Sequence, residues 1–150
     1  MPDPIQISTR DLVAEDRARW EALWAGYLDF YKSQIPQDVT DATFARLLDP
    51  ASKLFALVAE RDGALIGFAH CVLHPGTWAI ADFCYLEDLF VAPQARGKGV
   101  GRALIEATYR RADELGCSRI YWLTHESNSE ARKLYDSVGV NLGFIQYRRP

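Results

Sequence analysis

Residues 94–101 read Gln-Ala-Arg-Gly-Lys-Gly-Val-Gly, so three glycines are spaced two apart in a short basic loop. The loop follows an apolar run typical of a β-strand and precedes a segment with helical periodicity. Glycines let a backbone approach a ligand closely, and a helix N-terminus adds partial positive charge to the full charges of Arg96 and Lys98. This pattern predicts a binding site for a phosphate or pyrophosphate.

Two common phosphate-binding motifs do not fit this loop. A Walker A motif needs Gly-Lys followed by Ser or Thr, whereas Gly97-Lys98 is followed by Gly99. The dinucleotide fingerprint GxGxxG needs its third glycine later than Gly101. A plain strand-to-helix turn is the alternative without a ligand, but the combination of strand, glycines and helix favours an anion site.

A group of carboxylates comes just before the basic loop. No lysine or arginine occurs between Asp62 and Arg96, whereas Asp82, Glu87 and Asp88 all lie there. An acidic strand beside a basic helix start suits one cationic and one polyanionic ligand that meet at a strand end. Ordinary variation of surface charge is the alternative, and the glycine spacing favours the functional interpretation.

The elements that must position these residues follow from periodicity and turn signals. Apolar spacing predicts a mixed α/β order of strand, two helices, three strands, helix, strand, helix and strand. Asp62-Gly63 predicts a hairpin turn. Gly116 and Gly139 are predicted to end two helices, and residues 127–130 have the spacing of a capping box at the start of a helix. The predicted segments are a strand around Ile5 and Ile7, helices at 13–31 and 41–48, strands at 54–59, 64–73 and 85–91, a helix from the glycine loop to Gly116, a strand at 118–124, a helix reaching Val138, and a last strand at 144–148.

Composition limits the kinds of protein that this chain can be. The 150 residues are 49% hydrophobic and 25% charged with a net charge of −3, which predicts a single globular domain over 1–150. We expect no nucleic-acid partner because the chain lacks an overall positive charge, and no membrane span because glycines and Pro75 interrupt the longest uncharged stretch. Without a signal-peptide pattern at the start, we expect a cytoplasmic protein.

Cysteine and histidine do not point to a metal or a disulfide framework. Cys71, Cys84 and Cys117 form no CxxC pair and are odd in number. His70 and His74 have no partner at metal-ligand spacing, so core or surface roles are expected for them. We therefore expect no metal cofactor.

The motifs resemble those of the Gcn5-related N-acetyltransferase (GNAT) family. Gln94-x-x-Gly97-x-Gly99 resembles the family's pyrophosphate loop, and Asn128-x-x-Ala131-x-x-x-Tyr135 resembles its second motif. Segment 85–91 resembles a strand of diamine (spermidine/spermine) acetyltransferases, and 121–128 resembles yeast histone/polyamine acetyltransferase relatives. The resemblance implies a mostly antiparallel central sheet flanked by helices, with splayed central strands, and acetyl-CoA as co-substrate.

The resemblance also implies which residues contact the cofactor. Backbone groups of β-strand residues would meet the acetyl and pantetheine groups, the glycine loop would hold the pyrophosphate, and one asparagine would contact the cofactor arm. These residues are Leu89, Phe90 and Val91, then Arg96, Gly97, Lys98, Gly99, Val100, Gly101 and Arg102, and finally Asn128.

Acetyl transfer to an amine assigns the remaining roles. An ammonium has no lone pair, so a base must remove its proton, and we expect Glu87 to do so directly or through water. Tyr135 is the expected general acid for the departing thiolate, and Glu87, Asp88 and Tyr27 are expected to bind the amine. Since strand residues alternate faces, only one of the two carboxylates should face the cleft unless a bulge changes the register.

Several alternatives stay open at this point. Glu87 and Asp88 could be solvent-facing charges, Tyr135 could be an ordinary core tyrosine, and His125 is a reserve base. The expected acceptor is a small primary amine, either a polyamine, a diamine or an amino-acid-like compound. Protein lysine or N-terminal acetylation is the second enzymatic possibility, and a non-catalytic acyl-CoA-binding module is the third. We expect a homodimer, to which the last strand could contribute.

Overall fold

A computed structural model describes residues 6–150 and shows a five-stranded sheet flanked by four helices. The strands lie in chain order across the sheet, and all neighbours are antiparallel except β4 and β5, which are parallel. The predicted mixed, mostly antiparallel α/β fold is confirmed. The elements are β1 (Ser8–Asp11), α1 (Arg17–Phe30), α2 (Gln37–Leu48), β2 (Leu54–Arg61), β3 (Ala64–His74), β4 (Phe83–Val91), α3 (Val100–Glu114), β5 (Arg119–Tyr121) and α4 (Ser129–Val138), with 3₁₀ turns at Ala14–Asp16 and Pro93–Ala95.

The helices cover both faces of the sheet. On one face, Phe68 and His70 of β3 lie against the Trp24 ring of α1. On the other face, a Cβ on Gly67 of β3 would lie 3.1 Å from the Leu104 side chain of α3, so this glycine lets α3 approach the sheet. Alternate residues of β3 thus face opposite helix layers, as strand geometry requires.

Local turn chemistry matches the sequence at two glycines. Asp62 and Gly63 have φ of 51° and 78°, which is the left-handed backbone that a two-residue hairpin loop needs. Gly116 has φ of 72° and follows α3, where the N–H of Cys117 donates to the Ala112 carbonyl at 2.9 Å. This hydrogen bond belongs to a Schellman motif, which ends the helix without leaving its last carbonyls unpaired.

Element boundaries differ from the predicted ones in several places. Helix α1 begins only at Arg17, after a 3₁₀ turn, and α2 begins four residues before Asp41. Strand β5 covers three residues rather than 118–124. The predicted capping box at 127–130 is wrong, because Asn128 is the N-cap and its Oδ1 accepts from the Ala131 N–H at 3.5 Å. Ile5 lies outside the described residues.

The predicted last strand at 144–148 is also wrong. Residues 140–150 form no helix or strand, and their large apolar side chains are exposed. Phe144, Ile145 and Tyr147 have strand propensity, but a strand also needs the backbone of a neighbour. Within this chain, β5 pairs with β4 along three residues only and offers its other edge to no described segment.

None of the helices in residues 6–150 combines the length and apolarity that a bilayer crossing requires. The longest helix, α3, has 15 residues and carries charged side chains on its outer face.

A buried carboxylate fixes the start of α1 against the sheet. Asp16 has a fully buried side chain and accepts hydrogen bonds from the Arg10 and Arg19 guanidinium groups and from the Val13 N–H, at 2.8–2.9 Å. The hydrogen bond with Arg10 is the main reason that the pKa of Asp16 is lowered from 3.8 to about 2. Because Arg10 lies on β1, this network joins β1 to the helix that carries much of the aromatic core.

We expect Asp16→Asn to destabilise the fold by about 3 kcal/mol, since the buried position loses its charged hydrogen bonds with Arg10 and Arg19, whose side chains are partly exposed. Asp11→Asn is the matched control: Asp11 pairs with Arg111 at the surface, and its loss should cost less than about 1 kcal/mol. Urea unfolding at pH 7 measures both.

The lowered pKa of Asp16 also predicts how stability depends on pH. Its contribution is fully present above about pH 4 and is lost as the pH falls toward 2. The Asp16→Asn variant should therefore lose less stability than the wild type between pH 4 and 2. Equal acid sensitivity of the two proteins would contradict this assignment.

Candidate active site

A gap opens between β4 and the edge strand β5. The two strands pair only at Phe83, Cys84 and Tyr85 of β4, and beyond Tyr85 the β5 side of β4 has no strand beside it. Hydrogen-bonding direction alternates along a strand. Since the Ala92 N–H donates to Ile66 of β3, the Phe90 N–H also points to β3, whereas those of Leu89 and Val91 point into the gap. Of the three predicted backbone contacts, two thus face the gap.

A β-bulge lies at the edge of this gap. His70 of β3 pairs with Asp88 of β4, but the next residue, Cys71, pairs with Leu86, so Glu87 has no partner across the ladder. Bulges change the direction of nearby side chains. As a result, Glu87 and Asp88 line the same cavity, so the exception to strand alternation that the sequence left open applies here.

Two cavities meet at Glu87. The larger has a volume of about 400 Å³ and lies between α1, α2 and the sheet. The smaller is a crevice of about 20 Å³ in the gap beside β4, wide enough for one water-sized group. Glu87 is the residue that lines both of them, and Tyr135 lines the crevice opposite it.

The environment of Glu87 makes it a stronger base than a free glutamate. Partial burial between the walls raises the pKa of its carboxyl, and the negative charge of Asp88 raises it further. The positive charge of Arg46 acts in the opposite direction and is the smaller effect. Its carboxylate oxygens accept no hydrogen bond from residues 6–150, so the carboxylate is free to take a proton from a ligand.

Asp88 is held by other side chains. Its Oδ1 accepts a hydrogen bond from the Tyr27 hydroxyl at 2.7 Å, and its Oδ2 lies 3.0 Å from Nδ1 of the buried His70. The Trp20 indole N–H donates to His70 Nε2 at 2.9 Å, so the ring proton lies on Nδ1 and is donated to Asp88. Burial and the Asp88 charge raise the pKa of Tyr27, which therefore stays protonated and donates.

This network changes the interpretation of two predicted site residues. Asp88 and Tyr27 were expected to bind the amine, but their polar atoms are occupied by each other and by His70. They hold a negative charge next to Glu87 at a fixed position. His70 is a core residue, as expected, and only the fold showed that it holds Asp88.

Tyr135 lies in the second half of α4 and lines the crevice. Its ring packs edge-on against Trp122 with 5.6 Å between the ring centroids. Burial raises the pKa of its hydroxyl, so the group carries its proton at neutral pH. Within residues 6–150 this hydroxyl makes no hydrogen bond and is free to donate to a ligand.

The glycine loop forms the start of α3 with its backbone donors uncovered. Gly97 and Gly99 have φ of 76° and 85°, and a Cβ on either would meet no atom within 4 Å. Gly99 is the N-cap and has no side chain with which to cap the helix. Consequently, the N–H groups of Gly99 to Arg102 donate to no acceptor in the described chain, an arrangement that suits an anion.

The side chains around the loop have different partners. Lys98 is exposed and makes no ion pair within residues 6–150, so its charge is available to a ligand. Arg96 donates to the Val91 carbonyl at 3.1 Å, and Arg102 donates to Ser137 Oγ on α4 at 2.7 Å. Gly101 has a packing role, because a Cβ there would lie 3.0 Å from the Leu134 side chain of α4.

Asn128 caps α4 beside the gap. Its Oδ1 accepts from Ala131, and its Nδ2 donates to Thr124 Oγ1 at 3.3 Å. Its observed function is thus structural, and contact with a cofactor arm remains a prediction.

Of the other candidate residues, Cys71 lines the larger cavity, and the rest line neither cavity. His125 is exposed in the loop before α4, and Trp78 is exposed beside Arg119. Cys71 and Cys84 are buried, and Cys117 is a free, partly buried thiol. Across residues 6–150 there is no cluster of three His, Cys, Asp or Glu side chains arranged to hold a metal.

Sequence reasoning missed the α2 wall of the larger cavity, which Arg46 and Leu47 line. Their spacing is that of an ordinary amphipathic helix, and only the packing of α2 against β2 shows what they face. Trp24 of α1 also lines the cavity, and its aromatic side chain made it a candidate for an amine pocket.

Comparison with known proteins agrees with this geometry. The family model described as Acetyltransferase (GNAT) family matches residues 20–140. D-amino-acid N-acetyltransferase HPA3 of Saccharomyces cerevisiae is 40% identical over 146 residues, which cover 96% of this chain and 91% of that protein. L-ornithine N5-acetyltransferase NATA1 of Arabidopsis thaliana is 33% identical over 67% of this chain and 43% of its own length.

A solved structure has the same architecture. The aminoglycoside N-acetyltransferase AAC(6')-Iy, in complex with CoA, superposes with a TM-score of 0.83 at 25% identity, covering 99% of this chain and 98% of that one. The sequence match, the shared fold and the uncovered donors at the start of α3 lead to one conclusion. The chain belongs to the GNAT family and is an N-acetyltransferase.

Proposed function

We propose that the protein transfers the acetyl group of acetyl-CoA to the primary amine of a small molecule by direct attack. The observation that carries this proposal is Glu87, which lies where the larger cavity meets the crevice between β4 and β5. An amine in the cavity and a thioester in the crevice would meet at this carboxylate. The uncovered N–H groups of Gly99 to Arg102, together with Lys98, supply a pyrophosphate site.

Glu87 acts as the general base in this proposal. An ammonium must lose a proton before its nitrogen can attack, and the ordinary pKa of such an amine is about 10.4. A carboxyl group with a raised pKa takes that proton more readily near neutral pH than an ordinary one. The nitrogen then forms a bond to the thioester carbon, and the carbon–sulfur bond breaks.

Two other groups complete the transfer. The N–H groups of Leu89 and Val91 point into the gap and can donate to the carbonyl oxygen as negative charge develops on it. The Tyr135 hydroxyl, which carries its proton at neutral pH, gives that proton to the departing thiolate. The nitrogen loses its second proton as the amide forms, and this proton restores the Tyr135 hydroxyl, so the net products are the amide, the free thiol of CoA and one proton on Glu87.

The size of the cavity supports a small acceptor. About 400 Å³ is at the low end of the range of roughly 300–1,000 Å³ for small-molecule sites. The similar proteins named above are acetyltransferases for D-amino acids, L-ornithine and aminoglycosides, which are all small molecules with amino groups. A polyamine, a diamine and an amino-acid-like compound are the candidate classes, and we rank them above a protein lysine or N-terminus.

We also propose that the protein is a homodimer joined through the segment after α4. Val140, Leu142, Phe144, Ile145 and Tyr147 are 74–89% exposed, and so large an apolar stretch is unusual on a monomer. Strand β5 is the edge of the sheet, so its backbone groups can pair with a strand from a second copy. Two-fold symmetry would let each copy supply such a segment to the other.

We expect Glu87→Gln to lower kcat/KM by about 100-fold near pH 7, because the amine loses its base. The loss should shrink as the pH approaches the ordinary pKa of the amine, where the acceptor deprotonates unaided. Steady-state release of free CoA thiol across this pH range measures the effect. Glu106→Gln, an exposed change on α3, is the control and should leave the profile unchanged. A wild-type to variant ratio that is constant with pH would mean that Glu87 only binds the amine.

We expect Gly99→Asp to weaken CoA binding about tenfold or more, since it places a carboxylate beside the uncovered N–H groups. Gly63→Asp is the matched control, because Gly63 has the same left-handed φ and the same open surroundings far from the loop. Calorimetric titration with CoA and thermal unfolding separate affinity from backbone strain. Unchanged CoA affinity in Gly99→Asp would remove the pyrophosphate site from this loop.

We expect light scattering to give the mass of a dimer for the wild type and of a monomer for Phe144→Asp combined with Tyr147→Asp. Charged side chains in an apolar contact would be desolvated without a partner. Trp78→Asp is the control, because Trp78 is 85% exposed but belongs to another part of the surface. A monomeric wild type, or a dimeric double variant, would contradict this interface.

A further inference from the structure

Arg46 is a charged residue of the larger cavity to which the reaction assigns no role. It lies in the last turn of α2, and its guanidinium forms no ion pair or hydrogen bond within residues 6–150. Arg10, Arg17, Arg19 and Arg111 all pair with carboxylates of the chain. The guanidinium carries several N–H donors in one plane. Without a partner in the chain, these donors can bind both oxygens of a ligand carboxylate.

The opposite wall of the same cavity carries the complementary charge. Asp88 is occupied by Tyr27 and His70, so Glu87 is the carboxylate that a ligand can reach. Arg46 and Glu87 form no ion pair with each other, but both line this cavity. The cavity therefore presents one free positive and one free negative group.

We propose that Arg46 binds the carboxylate of an α-amino acid acceptor while Glu87 receives its amino group. This inference rests on the proposed acetyltransferase function and selects one of its candidate acceptor classes. A zwitterion matches both charges of the cavity. A diamine or polyamine would instead bring a second ammonium toward the Arg46 guanidinium, and like charges repel each other.

The remaining walls indicate which amino acids fit. Between the two charged groups the cavity is lined by apolar side chains from α1, α2 and the loop that joins them, including Trp24, Ile35, Val39 and Leu47. Burial of an apolar group against them is favourable, and a charged side chain would lose its hydration there. The structure assigns the site to α-amino acids with apolar or aromatic side chains.

The test compares three acceptors that differ only at the carboxylate. These are phenylalanine, as both enantiomers, phenylalaninamide and 2-phenylethylamine, each assayed by CoA thiol release. Arg46→Gln should raise KM for phenylalanine about tenfold or more with little change in kcat, because a charged hydrogen bond is lost. KM for the amide and the amine should stay within about twofold. Comparing the variant with the wild type for each acceptor cancels the intrinsic reactivity of the amines.

Two further variants sharpen the test. Arg46→Lys keeps the positive charge but lacks the planar N–H donors of the guanidinium. Its affinity for phenylalanine should lie between those of Arg46→Gln and the wild type. Arg110→Gln removes an exposed arginine on α3, on the other face of the sheet, and should change no KM. An equal effect of Arg46→Gln on all three acceptors, or no effect on any, would overturn the role of Arg46. Thiol release with spermidine or a diamine but with none of these three acceptors would overturn the amino-acid assignment alone, whereas absence of release with all of them would overturn the proposed acetyltransferase function.

Discussion

The site depends on where β4 loses its hydrogen-bonded neighbour. Beyond Tyr85, β5 no longer lies beside β4, and two residues later the bulge leaves Glu87 without a partner in β3. The first break exposes the backbone N–H groups of Leu89 and Val91, and the second brings two carboxylates to one cavity. A fully paired, regular strand would provide neither, so the site arises from a local departure from sheet geometry.

A second constraint acts at the start of α3. A helix begins with N–H groups that have no partner in the helix, and most helices cap them with a polar side chain. This chain places Gly99 at that position, so the donors stay uncovered and face outward. The left-handed φ of Gly97 and Gly99 makes a side chain costly at both positions. The backbone conformation of the loop therefore disfavours side chains that would cover its N–H groups.

Features set by neighbouring residues could be predicted from the sequence. The Asp62-Gly63 turn, the end of α3 at Gly116 and the glycine loop depend on backbone preferences that act over a few residues. The order of helices and strands along the chain followed from periodicity and these turns, and the mostly antiparallel sheet from the resemblance to GNAT proteins. Features that depend on pairing between distant segments could not be fixed, and the bulge at Glu87, which the sequence left open, is the main example. Arg46 and His70 gave no local signal because packing alone brings them to this cavity. The apolar pattern at 144–148 indicated a strand for which the described residues supply no partner.

The most direct test of the account is a crystal structure with CoA and phenylalanine bound together. We expect the pyrophosphate oxygens within hydrogen-bond distance of the N–H groups of Gly99 to Arg102. We expect the sulfur in the crevice between β4 and β5, and the amino nitrogen of phenylalanine beside Glu87. A nucleotide bound elsewhere, or an amino acid held away from Glu87 on the other side of the sheet, would contradict the account.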